Sequence, residues 1–487
     1  MRIDGREEHF LRLTGRTARL VSGIIFVALA LAFASTAGAA RYLIVYERED
    51  VPKNAPRVIE RAGGQLVASY DKIGVALADS ASASFASSLL EDGKVEGVSA
   101  LAGLSFGLEQ DSAWDSEGDL PNAPATDSDT FSGLQWNMRQ IHAPEAHAIT
   151  GGSPAVVVGV VDSGIDFAHP DLAQNVDFED SASCVTGVPD QDPASWRDDN
   201  GHGTHNAGTI AAASNGIGIV GVAPNVKIAS IKVAQASGLI TPAAVVCAFE
   251  WAARRHIDVT NNSYTVDKGG TTGADPLDFF CRNNQEEAAI VKAIKRATRH
   301  AQREGVTIVA SAGNSNIDLA HPPFGNECVR VPSELPGVIA VSATALSMEK
   351  ASYSNFGVGV IDVAAPGGDA VPAPPAGFVL STWPSYIQVP RLLQDLAAPS
   401  PAFYRFMAGT SMAAAHASGV AALIVSRYGD FKNLSNGKMR PGRVEAYMRQ
   451  TTTQTPCPPD PTACQGGLGY NGFYGHGIVD ALAAVTR

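Results

Sequence analysis

A chain of 487 residues, 45% hydrophobic and 17% charged, is long enough for two or three folding units and apolar enough to bury a large core. Its 48 glycines and 29 prolines recur without a period, which excludes collagen-like and low-complexity polymers. A formal charge of -13 argues against nucleic acid as a partner, because binding phosphate needs clustered Lys and Arg, and it fits a soluble, self-repelling extracellular protein.

Residues 1–39 read as an export signal. Arg2, Arg6, Arg12, Arg16 and Arg19 precede an apolar stretch from Leu20 to Ala34, and Ala37-Gly38-Ala39 follows in the small-x-small pattern read by signal peptidase. The apolar run is shorter than the roughly 20 residues of a spanning helix, so cleavage is favoured over an uncleaved anchor. No second span follows and the chain ends at Arg487 without an apolar tail, so the expectation is a secreted monomer with no stable membrane association.

Residues 41–107 form a small α+β unit. Tyr42 to Tyr46 reads as a strand, a helix lies near Val58, Leu66 to Leu77 is strand-like, and a second helix runs near Phe85 to Leu90. Residues 108–130 follow as an acidic linker. Glu109, Asp111, Asp115, Glu117, Asp119, Asp127 and Asp129 occur there without a Lys or Arg, which predicts a solvated, cleavable segment at a domain boundary.

From residue 131 to 487, apolar runs alternate with helical patterns. Val156 to Val161, Ile228 to Val233, Ile257 to Val259, Val306 to Val309 and Val338 to Val341 have the composition of strands buried on both faces, as in a parallel α/β sheet covered by helices. Six cysteines, Cys184, Cys247, Cys281, Cys328, Cys457 and Cys464, fit no zinc spacing. In an exported chain they suggest disulfides, of which sequence proximity picks out only Cys457 with Cys464; buried free thiols are the alternative.

Three strands run directly into polar residues: Val161 into Asp162, Val259 through Asn261 and Asn262 to Ser263, and Val309 through Gly313 to Asn314. Ligand sites in open parallel sheets form at such strand ends. Gly201-His202-Gly203-Thr204-His205 and Gly409-Thr410-Ser411-Met412-Ala413 each open a stretch of small, helix-compatible residues. Amide hydrolysis needs a nucleophile, a base, a carboxylate to orient the base and donors for the oxyanion. Ser411, His202, Asp162 and Asn314 offer these in turn, and Ser411 at a helix start adds its backbone N–H and the helix dipole.

These residues carry a resemblance. Asp162-Ser163-Gly164-Ile165-Asp166 with His169-Pro170-Asp171-Leu172, then His202-Gly203-Thr204-His205, Ala312-Gly313-Asn314 and Gly409-Thr410-Ser411-Met412-Ala413 resemble the subtilase signatures, in subtilase order, over roughly Trp136 to Leu482. The resemblance implies a subtilisin-like parallel sheet flanked by helices and a serine endopeptidase acting on protein or peptide substrates through an acyl-enzyme. It implies His202 rather than His205 as base, Asn314 as oxyanion-hole amide, and Ser263-Tyr264-Thr265 as the strand that pairs with substrate. It also makes residues 41–107 a ferredoxin-like propeptide that chaperones folding and then inhibits the cleft, with processing in the linker. No cofactor is required for the chemistry.

Departures from the pattern are Asn206 where an apolar residue is usual, Ala415 in place of the common proline after the nucleophile, and Thr265 where glycine is frequent, which would narrow one subsite. Arg330 stands near the expected primary specificity pocket. It either lines that pocket, in which case acidic side chains are preferred, or is an exposed Arg beside a disulfide, the ordinary place for such a residue.

Other signals are weaker. Gly216-Ile217-Gly218-Ile219-Val220-Gly221 matches a dinucleotide fingerprint but precedes a strand, so it reads as a turn. His142, His147, His256, His300, His321 and His476 lack ligand-like spacing. Asp190, Asp192, Asp198 and Asp199 read as a solvated acidic loop, with a structural calcium site as the alternative. The competing class of function is a catalytically silent member of the fold that only binds partners; such proteins usually lack a triad residue, and this chain has all three. A membrane-anchored peptidase is a third reading.

Overall fold

The computed structural model describes residues 38–114, 127–267, 279–323, 325–432, 437–458 and 464–487. The basic and apolar segment before residue 38, and with it most of the export-signal expectation, lies outside them.

The first unit alternates strands and short helices: β1 (Ala40–Tyr46), α1 (Ala55–Arg61), β2 (Gly64–Tyr70), β3 (Val75–Ser80), α2 (Phe85–Leu90) and β4 (Val95–Ala100). The strands are antiparallel in the order β2-β3-β1-β4, the ferredoxin-like arrangement. The strand-like stretch from Leu66 to Leu77 is two strands, because the chain reverses before Gly74, whose φ of +60° suits glycine. Successive side chains of a strand face opposite ways. Ile44, Ala76 and Ala78 therefore pack on Ile59, Phe85 and Leu89 of the unit's own helices, while Leu43, Val45 and Leu77 join a core belonging to the larger domain.

That second face docks on α5 (Gln285–Arg303). Gly97 of β4 approaches so closely that a Cβ there would lie 2.8 Å from that of Ala289. Arg296 donates to the carbonyls of Tyr46 (2.8 Å) and Glu47 (3.1 Å). Each aliphatic side chain buried in this way contributes roughly 1.5–3 kcal/mol.

The larger domain is built on seven parallel strands: β6 (Val157–Asp162), β7 (Ala182–Ser183), β8 (Lys227–Lys232), β10 (Val259–Asn262), β12 (Thr307–Ser311), β13 (Val338–Thr344) and β14 (Val363–Pro366), ordered β14-β13-β12-β10-β6-β8-β7. All five strands read from the sequence are present within a few residues. Val158, Val160, Val309 and Ile339 face one core with α3 (His202–Ala211) and α6 (Thr410–Tyr428); Val157, Val161, Ile308 and Val338 face the other with α4 (Pro242–Arg255) and α5. Both faces are thus dry, which is why these strands read as unbroken apolar runs. Helix α6 is apolar on all sides because it is buried along most of its length.

Two further groups of strands border the site. Strand β5 (Ser105–Leu108) lies antiparallel between β9 (Leu239–Ile240) and β11 (Tyr264–Asp267). A second antiparallel pair joins β15 (Val379–Trp383) to β16 (Ala402–Ala408), and Ser112 and Ala113 add to the edge of β16. The three disulfides are Cys184–Cys247, Cys281–Cys328 and Cys457–Cys464, the last being the pair suggested by proximity.

Candidate active site

Asp162 closes β6, His202 opens α3 and Ser411 is the second residue of α6. Asn314 leaves β12 through Gly313, whose φ of +101° requires glycine. Small residues bring the strand exit and the helix start together: a Cβ on Gly203 would lie 2.2 Å from the Gly164 carbonyl oxygen. The carboxyl ends of the central strands converge there as expected, with Asp162, His202 and Ser411 buried at the same rim.

His202 Nδ1–H donates to Asp162 Oδ1 at 2.7 Å. Asp162 Oδ1 also accepts from the Ser163 N–H at 2.7 Å, and its Oδ2 accepts from Asn206 Nδ2 at 3.0 Å. Asn206 thus has a defined job at the site, one the sequence reading registered only as a departure. His205 faces away, its Nε2 on the Arg405 carbonyl at 3.1 Å, and burial pushes its pKa down to about 3, so it stays neutral. On the other side, Asn314 Oδ1 accepts from Thr410 N (2.9 Å) and Thr410 Oγ1 (2.7 Å), tying the amide to the start of α6. Ser263 Oγ donates to the Ser411 carbonyl at 3.4 Å. The buried Ser411 Oγ has no hydrogen-bond partner among the described residues.

The groove between these groups is filled by the chain itself. Leu108 pairs with Tyr264 and Gly107 with Thr265, and the Glu109 N–H points at the Ser263 carbonyl at 3.5 Å. Ser263, Tyr264 and Thr265 therefore line an extended peptide, with glycine opposite the bulkier Thr265. Phe106 anchors that peptide edge-on against Tyr264 and Phe280. Beyond a tight bend, in which the Asp111 N–H donates to the Glu109 carbonyl at 3.0 Å, Asp111 reaches both halves of the site. Its Oδ2 accepts from His202 Nε2 at 2.9 Å and its Oδ1 from Asn314 Nδ2 at 2.7 Å; Asn314 Nδ2 also donates to the Gln110 carbonyl at 3.2 Å. Glycine at 409 makes room, since a Cβ there would collide with Asp111 Oδ1. Burial alone would lower the His202 pKa, but Asp162 and Asp111 outweigh it and hold it well above the ordinary imidazole value. An open cleft of about 690 Å³ continues past this segment, bordered by Asn200, His202, Trp383 and Arg405.

Several expectations change. The acidic linker is not uniformly solvated: Glu109 and Asp129 are buried and the Asp111 side chain is covered, because Arg330, the Asn215 N–H and His202 respectively supply partners. Residues 115–126 lie outside the described residues. Arg330 is not an exposed residue beside a disulfide; at 1% exposure its Nη2 donates to Glu109 Oε1 at 2.6 Å. In the second acidic cluster Asp192 caps a short helix, Asp198 accepts from Ser163 Oγ and Thr204 Oγ1, and Asp199 pairs with Lys232. Among the described residues no group of three or more His, Cys, Asp or Glu side chains gathers as a metal site.

The subtilase family model matches residues 153–477, two thirds of the chain and all of the site just described except the segment that fills it. The chain is a subtilase. It is 31% identical to M-protease of Shouchella clausii over 72% of this chain and 70% of that protein. It is 30% identical to subtilisin Savinase of Lederbergia lenta over 72% of this chain and 98% of that one. This subtilase also shares its fold with the epidermin leader peptide processing serine protease of Staphylococcus aureus (TM-score 0.66, 20% identity, 92% of this chain and 98% of that one). Fervidolysin from Fervidobacterium pennivorans is a further match in fold (TM-score 0.65, 22% identity, 92% of this chain and 61% of that one). Membership makes it a serine endopeptidase acting on peptides or proteins. No helix among the described residues is long and apolar enough to cross a membrane.

Proposed function

We propose that this subtilase is an exported endopeptidase in which Asp162, His202 and Ser411 form the catalytic triad and residues 41–107 are a built-in inhibitor removed on maturation by a cut in the linker 108–130. The single observation that carries the reading is the 2.7 Å contact from His202 to the buried Asp162, at a rim that also holds Ser411 and Asn314. Asp162 fixes the tautomer that leaves Nε2 free to take the Ser411 proton, and stabilises the imidazolium that results. Ser411 attacks the carbonyl carbon, and the negative oxygen is met by Asn314 Nδ2 and the N–H groups at the start of α6. His202 then protonates the leaving amine, and water, deprotonated by the same imidazole, hydrolyses the ester.

The segment 105–111 supports the inhibitory role, since it runs where an extended substrate would pair with β11 and engages His202 and Asn314 through Asp111. Export is supported by the basic and apolar N-terminus and by three disulfides, which persist in oxidising surroundings. The test is labelling of the processed protein by a fluorophosphonate probe. Stoichiometric labelling that is absent in Ser411→Ala is expected; a processed wild-type protein that takes up no probe would leave the fold a silent binding module.

A further inference from the structure

Glu109 points into a closed pocket. It is 5% exposed, and its Oε1 accepts hydrogen bonds from Arg330 Nη2 at 2.6 Å and from Ser311 Oγ at 2.9 Å. The guanidinium lies over Gly313, where a Cβ would come within 2.3 Å of its central carbon, so the absence of a side chain at 313 makes the space that holds it. Arg330 follows a short strand that Cys281–Cys328 straps in place, which fixes its reach. Burying a carboxylate costs several kcal/mol unless a charge and hydrogen bonds meet it, so a pocket with this lining discriminates strongly by charge. The position of Glu109 in the groove is also set twice over. Phe106, three residues earlier, is locked against Tyr264 and Phe280, and the backbone of 107–109 follows Ser263 to Thr265 in strand register. Past Glu109 the bend keeps the Glu109 carbonyl on the Asp111 N–H at 3.0 Å and puts the Gln110 carbonyl on Asn314 Nδ2 at 3.2 Å, so this bend must open before the Glu109 carbonyl can meet Asn314.

We propose that Arg330 makes this pocket select an acidic residue, glutamate above all, immediately before the bond that is cut, and that the chain's own cut falls between Glu109 and Gln110. This rests on the triad reading above. In that cut Ser411 Oγ bonds to the Glu109 carbonyl carbon, the bond to the Gln110 nitrogen breaks as His202 protonates that nitrogen, and water hydrolyses the ester to leave Glu109 with a free carboxylate. Glutamate reaches the guanidinium from the strand; aspartate, one methylene shorter, stops short of it, and glutamine brings no charge.

The test uses the full chain expressed in a protease-free host, with mass spectrometry of the earliest fragments, followed by a panel of Phe-Gly-Leu-X anilides given to the mature protein, where X is Glu, Asp, Gln, Leu, Phe or Lys. A first fragment ending at Glu109, and a kcat/KM for X = Glu at least ~10-fold above each other member, are expected. In Arg330→Met the Glu-to-Leu ratio should fall by at least ~10-fold. Because Arg330→Met leaves Glu109 buried without its cation, the pair Arg330→Met with Glu109→Met is made as well, to separate lost folding from lost selectivity. A wild-type protein that cuts X = Leu, Phe or Lys as fast as Glu, or an Arg330 variant that keeps the glutamate preference, overturns the proposal alone. A protein that cuts no member and takes up no fluorophosphonate overturns it together with the peptidase reading.

Discussion

The imidazole of His202 is held between two carboxylates, Asp162 on Nδ1 at 2.7 Å and Asp111 on Nε2 at 2.9 Å, and Asp111 comes from a segment 91 residues upstream. With both ring nitrogens facing acceptors, both carry protons, and an imidazolium cannot take one from Ser411. Its pKa is raised in the folded chain, so the Asp111 contact is complete below the ordinary value of about 6.5 and is lost as pH rises through the raised one. Purified full-length chain should therefore mature faster at alkaline than at neutral pH. Asp111→Ala should quicken maturation about 10-fold at pH 7 and flatten that dependence, as followed on a gel. A slower Asp111→Ala would contradict this role.

Replacing Ser411 with alanine removes one oxygen from a buried site and leaves its surroundings intact. In a protease-free host the Ser411→Ala chain should accumulate with residues 41–107 still joined to the rest, detected by intact mass. Normal-sized mature product would assign the cut to another nucleophile.

Asn206 is a positioning residue, donating to Asp162 Oδ2 at 3.0 Å from one turn further along the helix that His202 opens. Asn206→Ala should lower kcat about 10-fold with little change in KM, because only the aim of the base is loosened. An effect confined to KM would place Asn206 in substrate binding instead.

Glu334 tests the electrostatics behind the pocket. Burial raises its carboxyl to about 7, against the opposing pull of the Arg330 N–H, 2.6 Å away, and of the Arg330 and Arg282 charges. The folded chain then holds a proton that the unfolded chain gives up near 4.5, so stability falls as pH climbs from about 4.5 to about 7 and levels off above. In the Ser411→Ala background, Glu334→Gln should shrink the difference in denaturation midpoint between pH 5 and pH 8. An unchanged difference would exclude Glu334 as its source.

What the sequence disclosed and what it withheld divide along chain distance. Asp162, His202, Asn314 and Ser411 are each announced by neighbours within a few residues: a valine run, a glycine turn or a small-residue helix start. The parallel sheet was legible for the same reason, since strands dry on both faces have a composition of their own. Glu109 reads as solvated because the seven acids of the linker 108–130 meet no nearby Lys or Arg, and its cation lies 221 residues further on. Asn206 was visible only as a departure, because nothing local says that a polar side chain one helical turn past His202 faces a carboxylate. Two of the three disulfides, bridging 63 and 47 residues, were hidden likewise, whereas the one spanning 7 was not.

The groove that β5 fills is one strand wide and bounded on both sides by backbone, β9 and β11. Anything that replaces β5 must present unspent N–H and C=O groups along several consecutive residues, and a helix has already committed its own to itself. Folded proteins would therefore be spared except at frayed ends and unwound loops, so that conformation is screened before any side chain is read.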